Sequence, residues 1–175
     1  MIFFSRIITN IKRRLRARRI GVKFTKRSIF KLPSFLYING NRIKLHFPER
    51  EIYKSMFTEI FLDDDYQMEE LRSKRINTII DIGANIGLFS IAAKLFFPHA
   101  AIHSYEPNPE FEIYLRQHAS SAGFKYYMEA VGLKDGQALF NPKKNLAILD
   151  EGTNAEGYLP MVSFKECIQR MGGGS

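Results

Sequence analysis

Several things are scarce in this sequence, and each scarcity removes a class of protein. There is one cysteine, Cys167, in 175 residues, so no internal disulfide framework is available and the chain fits a reducing, cytoplasmic setting. No run approaches the roughly 18 consecutive apolar residues that a membrane-spanning helix requires. No internal repeat is visible, and no low-complexity stretch precedes Gly172-Gly173-Gly174-Ser175, which argues against a repeat architecture. His46, His99, His103 and His118 have no paired spacing on a helix, because Pro98 and the strand after it interrupt the single i, i+4 pair. They read as ordinary surface or core histidines rather than metal ligands, and Cys167 reads as a buried structural thiol. What remains is 45% hydrophobic and 13% aromatic, the composition of one packed domain with a sizeable core.

Acidic residues are missing from one region altogether. Residues 1 to 44 hold 13 of the 26 Lys and Arg and none of the 18 Asp and Glu, so the rest of the chain is net −5 despite an overall +8. A nucleic-acid-binding surface is not the expectation for that remainder. Within the arm, taken as residues 1–33, Phe4, Ile8, Ile11 and Leu15 recur at helical spacing among Lys12, Arg13, Arg14, Arg16, Arg18 and Arg19. Three readings stand for this basic amphipathic helix: a solvated face, peripheral adsorption to an anionic membrane, or contact with RNA or another polyanion. The sequence after the arginines lacks the apolar stretch of a secretory signal, whereas an organellar transit peptide shares the Arg-rich, acid-free composition.

Residues 34–75 read as a lead-in. Asn39-Gly40 between two alternating runs predicts a β-hairpin over Phe35 to His46. Glu49 to Ser73 predicts two short helices broken by Asp63-Asp64-Asp65. From Ile76, strand and helix alternate as in a sheet of parallel β-α-β crossovers. A strand runs to Asp81, and the helix after it buries Leu88, Ile91, Ala92, Leu95 and Phe96. Ala101 to Tyr105 is a second strand, followed by Asn108-Pro109 as N-cap and first helical position of a helix ending at Gly123. Lys125 to Val131 reads as one third strand, Lys134-Asp135-Gly136 as a turn into an extended piece, and 143–160 as loop. Val162 to Met171 reads as an amphipathic helix burying Val162, Cys167, Ile168 and Met171.

The chemistry concentrates in Asp81-Ile82-Gly83-Ala84-Asn85-Ile86-Gly87, the turn leaving the first parallel strand. Glycines there let main chain approach a ligand at the carboxyl end of the sheet. Glu106 ends the second strand, where a carboxylate can accept the hydroxyl protons of an adenosine ribose. Asn85 stands where a dinucleotide site wants its middle glycine, and Asp81 would repel a phosphate while suiting an ammonium. No G-x-x-x-x-G-K-[ST] occurs. S-adenosylmethionine has a ribose, an ammonium and a sulfonium and no phosphate, so it is the cofactor these residues favour over a dinucleotide or nucleotide triphosphate.

Taken together, Ile76 to Ser90, Ser104-Tyr105-Glu106-Pro107-Asn108-Pro109 and Glu129-Ala130-Val131-Gly132-Leu133-Lys134-Asp135-Gly136 resemble the FkbM-type methyltransferases, and Glu59-Ile60-Phe61 is similar to their lead-in. The resemblance implies a Rossmann-like class I α/β fold, of which residues 76–175 would be the N-terminal half with its first three strands. It also implies methyl transfer to a hydroxyl oxygen of a sugar or other small molecule or glycan. By position it implies that Asp81, Gly83, Ala84, Asn85 and Gly87 line the methionyl and ribose, Glu106 the ribose hydroxyls, Asn108 the adenosine edge, and Glu129 and Ala130 the adenine. Asn108 reads equally as a helix cap, and Glu129 as a solvated strand-end carboxylate.

Methyl transfer from a sulfonium is an in-line displacement, in which the protein aligns acceptor and methyl and can remove the acceptor proton. The base is expected near a fourth strand, and the chain ends at Gly172 to Ser175, where the family would enter it. An incomplete fragment, weakly active or inactive alone, is therefore the expectation, whether those glycines are native or an added linker. The rival readings are an interaction module docking through the arm to membrane or RNA, and a nucleic-acid methyltransferase.

Overall fold

The computed structural model describes residues 2–25, 29–141, 146–148 and 157–172. The arm is a helix, α1 (Ile2–Arg19), and three of its arginines, Arg13, Arg16 and Arg19, engage acids of the lead-in. Arg13 makes paired bonds to both carboxylate oxygens of Asp63, at 2.5 and 2.6 Å. Arg16 donates to the carbonyls of Leu62 and Asp63 and to the carboxylate of Glu69, and Arg19 also reaches Glu69. Ala17 and Ile20 are buried beside them, while Ile7, Ile8, Ile11 and Leu15 face outward.

The hairpin forms as its turn dictates. β1 (Phe35–Ile38) pairs antiparallel with β2 (Asn41–Lys44), and Asn39 and Gly40 carry φ of 49° and 83°, the two left-handed positions of a tight hairpin turn. Leu36, Ile38 and Ile43 alternate into the core. α2 (Ile52–Phe57) continues as a π-helical turn over Thr58–Asp63 and stops at Asp64, φ 61°. Asp64 then caps the short α3 (Met68–Leu71), its carboxylate accepting the amides of Met68 and Glu69. The aspartates do break two helices, and they also receive the arm.

The main domain is α/β. β3 (Thr78–Ile82), β4 (Ala101–Tyr105) and β5 (Lys125–Tyr127) form a parallel sheet in that order, with α4 (Leu88–Phe96) and α5 (Glu112–Ala122) as crossovers. Two successive β-α-β units with neighbouring strands make one half of a doubly wound, Rossmann-like sheet. α4 buries Leu88, Ile91, Ala92 and Ala93, and each fully buried Leu or Ile contributes about 1.5–3 kcal/mol. One continuous core runs from Ala17 through the hairpin and α2 to Phe124, so the lead-in and the sheet share an interior.

Past β5 the structure departs from the sequence reading. The expected third strand splits at Met128-Glu129. β5 ends the parallel sheet, and β6 (Ala130–Gly132) opens a second sheet of order β6-β9-β7-β8 with β7 (Gly136–Asn141), β8 (Leu146–Ile148) and β9 (Tyr158–Ser163). Part of the expected 143–160 loop is thus strand, and the remainder, 143–145 and 149–156, lies outside the described residues. Pro160 lies within β9 opposite Gln137 of β7, and on the other side β6 pairs with β9 only from Met161 onward, so the proline sits just outside that second ladder. Val162 is buried as expected, though in β9; the helix α6 (Phe164–Arg170) starts two residues later, with the Ser163 hydroxyl accepting the Glu166 amide. Cys167 is buried against Tyr105 and Val162, whereas Ile168 is exposed rather than buried, because so short a helix offers the sheet only a narrow face. Among the described residues, no helix is long and apolar enough to cross a membrane.

Candidate cofactor site

The carboxyl ends of β3 and β4 lie side by side, with Asp81 level with Ser104 and Ile82 with Tyr105. The turn after β3 folds over the end of β4, since the amides of Gly83 and Ala84 both donate to the Tyr105 carbonyl at 2.9 and 3.0 Å. Gly83, Asn85 and Gly87 have φ of 75°, 53° and 84°, so the turn passes three times through the left-handed region. The Asn85 side chain accepts the amide of Ile86, the local bond that lets Asn tolerate this geometry.

The two glycines serve different ends. A Cβ on Gly83 would meet nothing within 4 Å, so this exposed residue leaves open space in front of the main chain. A Cβ on Gly87 would lie 2.9 Å from Leu115 Cδ1 and 3.0 Å from Phe124 Cζ. Gly87 is buried, and its missing side chain is what lets the turn pack on α5 and the residue before β5.

Glu106 fastens the site. Its Oε2 accepts the Asn85 amide at 2.7 Å and its Oε1 the Asn108 amide at 2.8 Å, leaving further lone pairs on both oxygens. Asn108 is buried, and its own Oδ1 caps the 3₁₀ turn Pro109–Phe111 by accepting the Glu110 amide at 2.9 Å. Asp81 is buried beneath the turn, where the Ser90 hydroxyl donates to Oδ2 at 2.6 Å and lies 2.7 Å from the Ser104 hydroxyl. Burial, partly offset by the Ser90 bond and reinforced by the charge of Glu106, pushes the Asp81 carboxyl up to about 6. Burial also raises Glu106, against the two amide bonds that favour its ionised form. Neither acid forms an ion pair with Lys or Arg among the described residues.

Glu129 and Ala130 stand one strand further on. The Glu129 carboxylate accepts a 2.6 Å bond from Arg170, whose guanidinium also lies 4.9 Å from the centre of the Tyr127 ring. Ala130 is buried with Ala138 and Met161 in the second sheet. The structure therefore brings Asp81, Gly83, Ala84, Asn85, Glu106 and Asn108 together around one turn. It sets Gly87 behind them, and it gives the Glu129 side chain and the Ala130 methyl partners of their own.

Three contributors escaped the sequence reading. Ser90 and Ser104 join Asp81 in a buried polar cluster, and the only local signal was a serine on otherwise apolar faces of α4 and β4. His118 is fully buried on α5, with Nδ1 2.5 Å from the Ile86 carbonyl and Nε2 accepting the His46 amide at 2.9 Å. Those partners require a neutral ring with its proton on Nδ1, and burial pushes its pKa down to about 4. It carries the back of the glycine turn.

No family model matches the chain. Over 72 residues it is 36% identical to the methyltransferase SdnD of Sordaria araneosa, an overlap covering 41% of this chain and 27% of that protein. Over 54 residues it is 35% identical to 31-O-demethyl-FK506 methyltransferase FkbM of Streptomyces tacrolimicus, covering 31% of this chain and 21% of that one. The chain thus matches about a quarter of the length of these relatives. A crystal structure of an S-adenosylmethionine-dependent methyltransferase from Agrobacterium tumefaciens superposes with a TM-score of 0.36 at 11% identity, covering 62% of this chain and 43% of that one. Such a superposition carries little weight, and the α/β assignment stands on the strand order itself. The curated relatives are both methyltransferases, and it is with that class of protein that the chain's similarity lies.

Proposed function

We propose that this chain forms the S-adenosylmethionine-binding part of a methyltransferase whose acceptor is a hydroxyl group on a small molecule or glycan. One observation carries the reading: Asp81 and Glu106 are buried acids at the ends of adjacent parallel strands, both held above their usual proton affinity, with no Lys or Arg among the described residues paired to neutralise them. Two such carboxylates favour a ligand that brings positive charge and hydroxyl donors, and they disfavour one that brings phosphate.

The residues divide the work accordingly. The free lone pairs of Glu106 accept the ribose hydroxyls, in charge-assisted bonds of about 1.5–3 kcal/mol each. Asp81 faces the ammonium of the methionyl group, and the open main chain at Gly83 lets that group lie against the turn. Ala84 and Asn85 complete the wall, and Asn108 closes the adenosine edge while capping its helix. With the Glu129 carboxylate held by Arg170 and Ala130 packed inward, what these two residues offer the adenine is main chain. When bound, the cofactor supplies the methyl electrophile. The hydroxyl acceptor rests on likeness alone, since the name of one relative designates methylation at an oxygen.

Calorimetric titration of the chain with S-adenosylmethionine, S-adenosylhomocysteine and NAD tests the reading. Binding of the first two and not the third, lost in Glu106→Ala, is the expected result. Equal binding of NAD, or no heat and no thermal shift with any of the three, would overturn it.

A further inference from the structure

We infer that the outward face of α1 is a docking surface for an anionic phospholipid bilayer, used through a specific subset of its cations. The inference is independent of the cofactor reading, because the face lies on other elements. Ile7, Ile8, Ile11 and Leu15 are 42%, 53%, 53% and 53% exposed along one side of the helix, an aliphatic stripe open to solvent. Beside it runs a cavity of about 460 Å³, in which Ile11, Leu15 and Phe24 meet the cations Arg14, Arg18 and Lys23. The Arg14 guanidinium lies 5.8 Å from the centre of the Phe24 ring. No acid lines this groove, and no Asp or Glu pairs with Arg14, Arg18 or Lys23 among the described residues.

The contrast with the other arginines is what makes the face specific. Arg13, Arg16 and Arg19 are spent on Asp63, Asp64 and Glu69 and on main-chain carbonyls, and this ionic clasp fixes which side of the helix looks outward. A bilayer interface is the surface that uses both halves of what is left: aliphatic side chains enter the acyl boundary while the cations meet headgroup phosphates. Nucleic acid would use the cations, but it offers the four aliphatic side chains neither stacking nor hydrogen bonding. A second copy of the chain, packed face to face by two-fold symmetry, would set like charges against each other without an acid between them.

The test is co-sedimentation of the full chain with vesicles of phosphatidylcholine alone and of phosphatidylcholine with about a third phosphatidylserine. Binding to the anionic vesicles alone is expected, weakening as salt rises. Arg14→Gln/Arg18→Gln/Lys23→Gln should weaken it ~10-fold or more, and so should Ile11→Glu/Leu15→Glu, whose sites are exposed enough to leave the fold intact by circular dichroism. Arg13→Gln should leave vesicle binding within about two-fold, because that cation is already engaged and Arg16 and Arg19 still hold the helix in its orientation. Equal binding to neutral vesicles, or no binding to either, would overturn the inference. So would a greater loss from Arg13→Gln than from the triple variant, a preference for single-stranded RNA over anionic vesicles, or self-association in sedimentation velocity that masks the face.

Discussion

Glu106 Oε2 accepts the backbone amide of Asn85 at 2.7 Å, so the carboxylate that ends β4 holds the turn that ends β3. In the proposed function the same oxygens accept the ribose hydroxyls, so a loss at this position is felt twice.

Glu106→Ala should weaken S-adenosylmethionine binding by ~100-fold and lower stability by about 1–3 kcal/mol, because the Asn85 and Asn108 amides lose their acceptor. Glu106→Gln keeps an acceptor for one amide and should recover part of the stability without recovering the affinity. Urea denaturation and calorimetry read the two effects separately.

Asp81 makes the fold depend on pH in an unusual direction. Its folded pKa, about 6, exceeds the ordinary 3.8, so the folded state holds the extra proton between those values. The stability this gives is complete below pH 3.8 and is lost as pH rises through 6, at a cost of about 3 kcal/mol by neutrality. Asp81→Asn should therefore be more stable than the parent at pH 7 by ~1–3 kcal/mol, and should bind the cofactor less well. A bound ammonium favours the ionised acid, so parent affinity should increase from pH 5 to 7, with protons released on binding near pH 6 in buffers of differing ionisation enthalpy.

His118 acts in the opposite sense over an overlapping range. Its folded pKa of about 4 lies below the ordinary 6.5, so its contribution is present above 6.5 and is lost as pH falls through 4. The Asp81 and His118 slopes nearly cancel in the parent protein between pH 4 and 6. Asp81→Asn removes the first of these two slopes and leaves the histidine's unopposed by it, so the variant's denaturation midpoint should fall more steeply than the parent's on acidification across that range.

The two glycines should separate by substitution. Gly83→Ala meets no atom and carries only the left-handed backbone cost, ~1–2 kcal/mol. Gly87→Ala adds the approaches to Leu115 and Phe124 and should cost ~3 kcal/mol or more. Thermal melts of the two variants, compared without ligand, distinguish a steric role from a ligand-facing one.

The strand-turn-acid arrangement was legible in the sequence because each part is local: Asp81 ends a short apolar run, glycines follow, and a second run ends at Glu106. The hairpin and the Asn108 cap were legible for the same reason. What was hidden depends on partners far along the chain. The packing role of Gly87 needs Leu115 and Phe124, and the roll of α1 is set by acids some 50 residues downstream in Asp63, Asp64 and Glu69. Tyr127 to Val131 carries no breaker, so the passage from the parallel sheet to the second one left no mark on the sequence.

His118 joins two regions that a hydropathy plot would separate, since one ring nitrogen holds the amide of His46 in the lead-in and the other holds the Ile86 carbonyl of the glycine turn. Excising residues 76–175 as a minimal binding unit would strand that ring nitrogen in an opened cavity and strip Leu36, Ile43 and Phe57 from the shared interior. The smallest piece of this chain worth dissecting for cofactor binding therefore begins upstream of the hairpin.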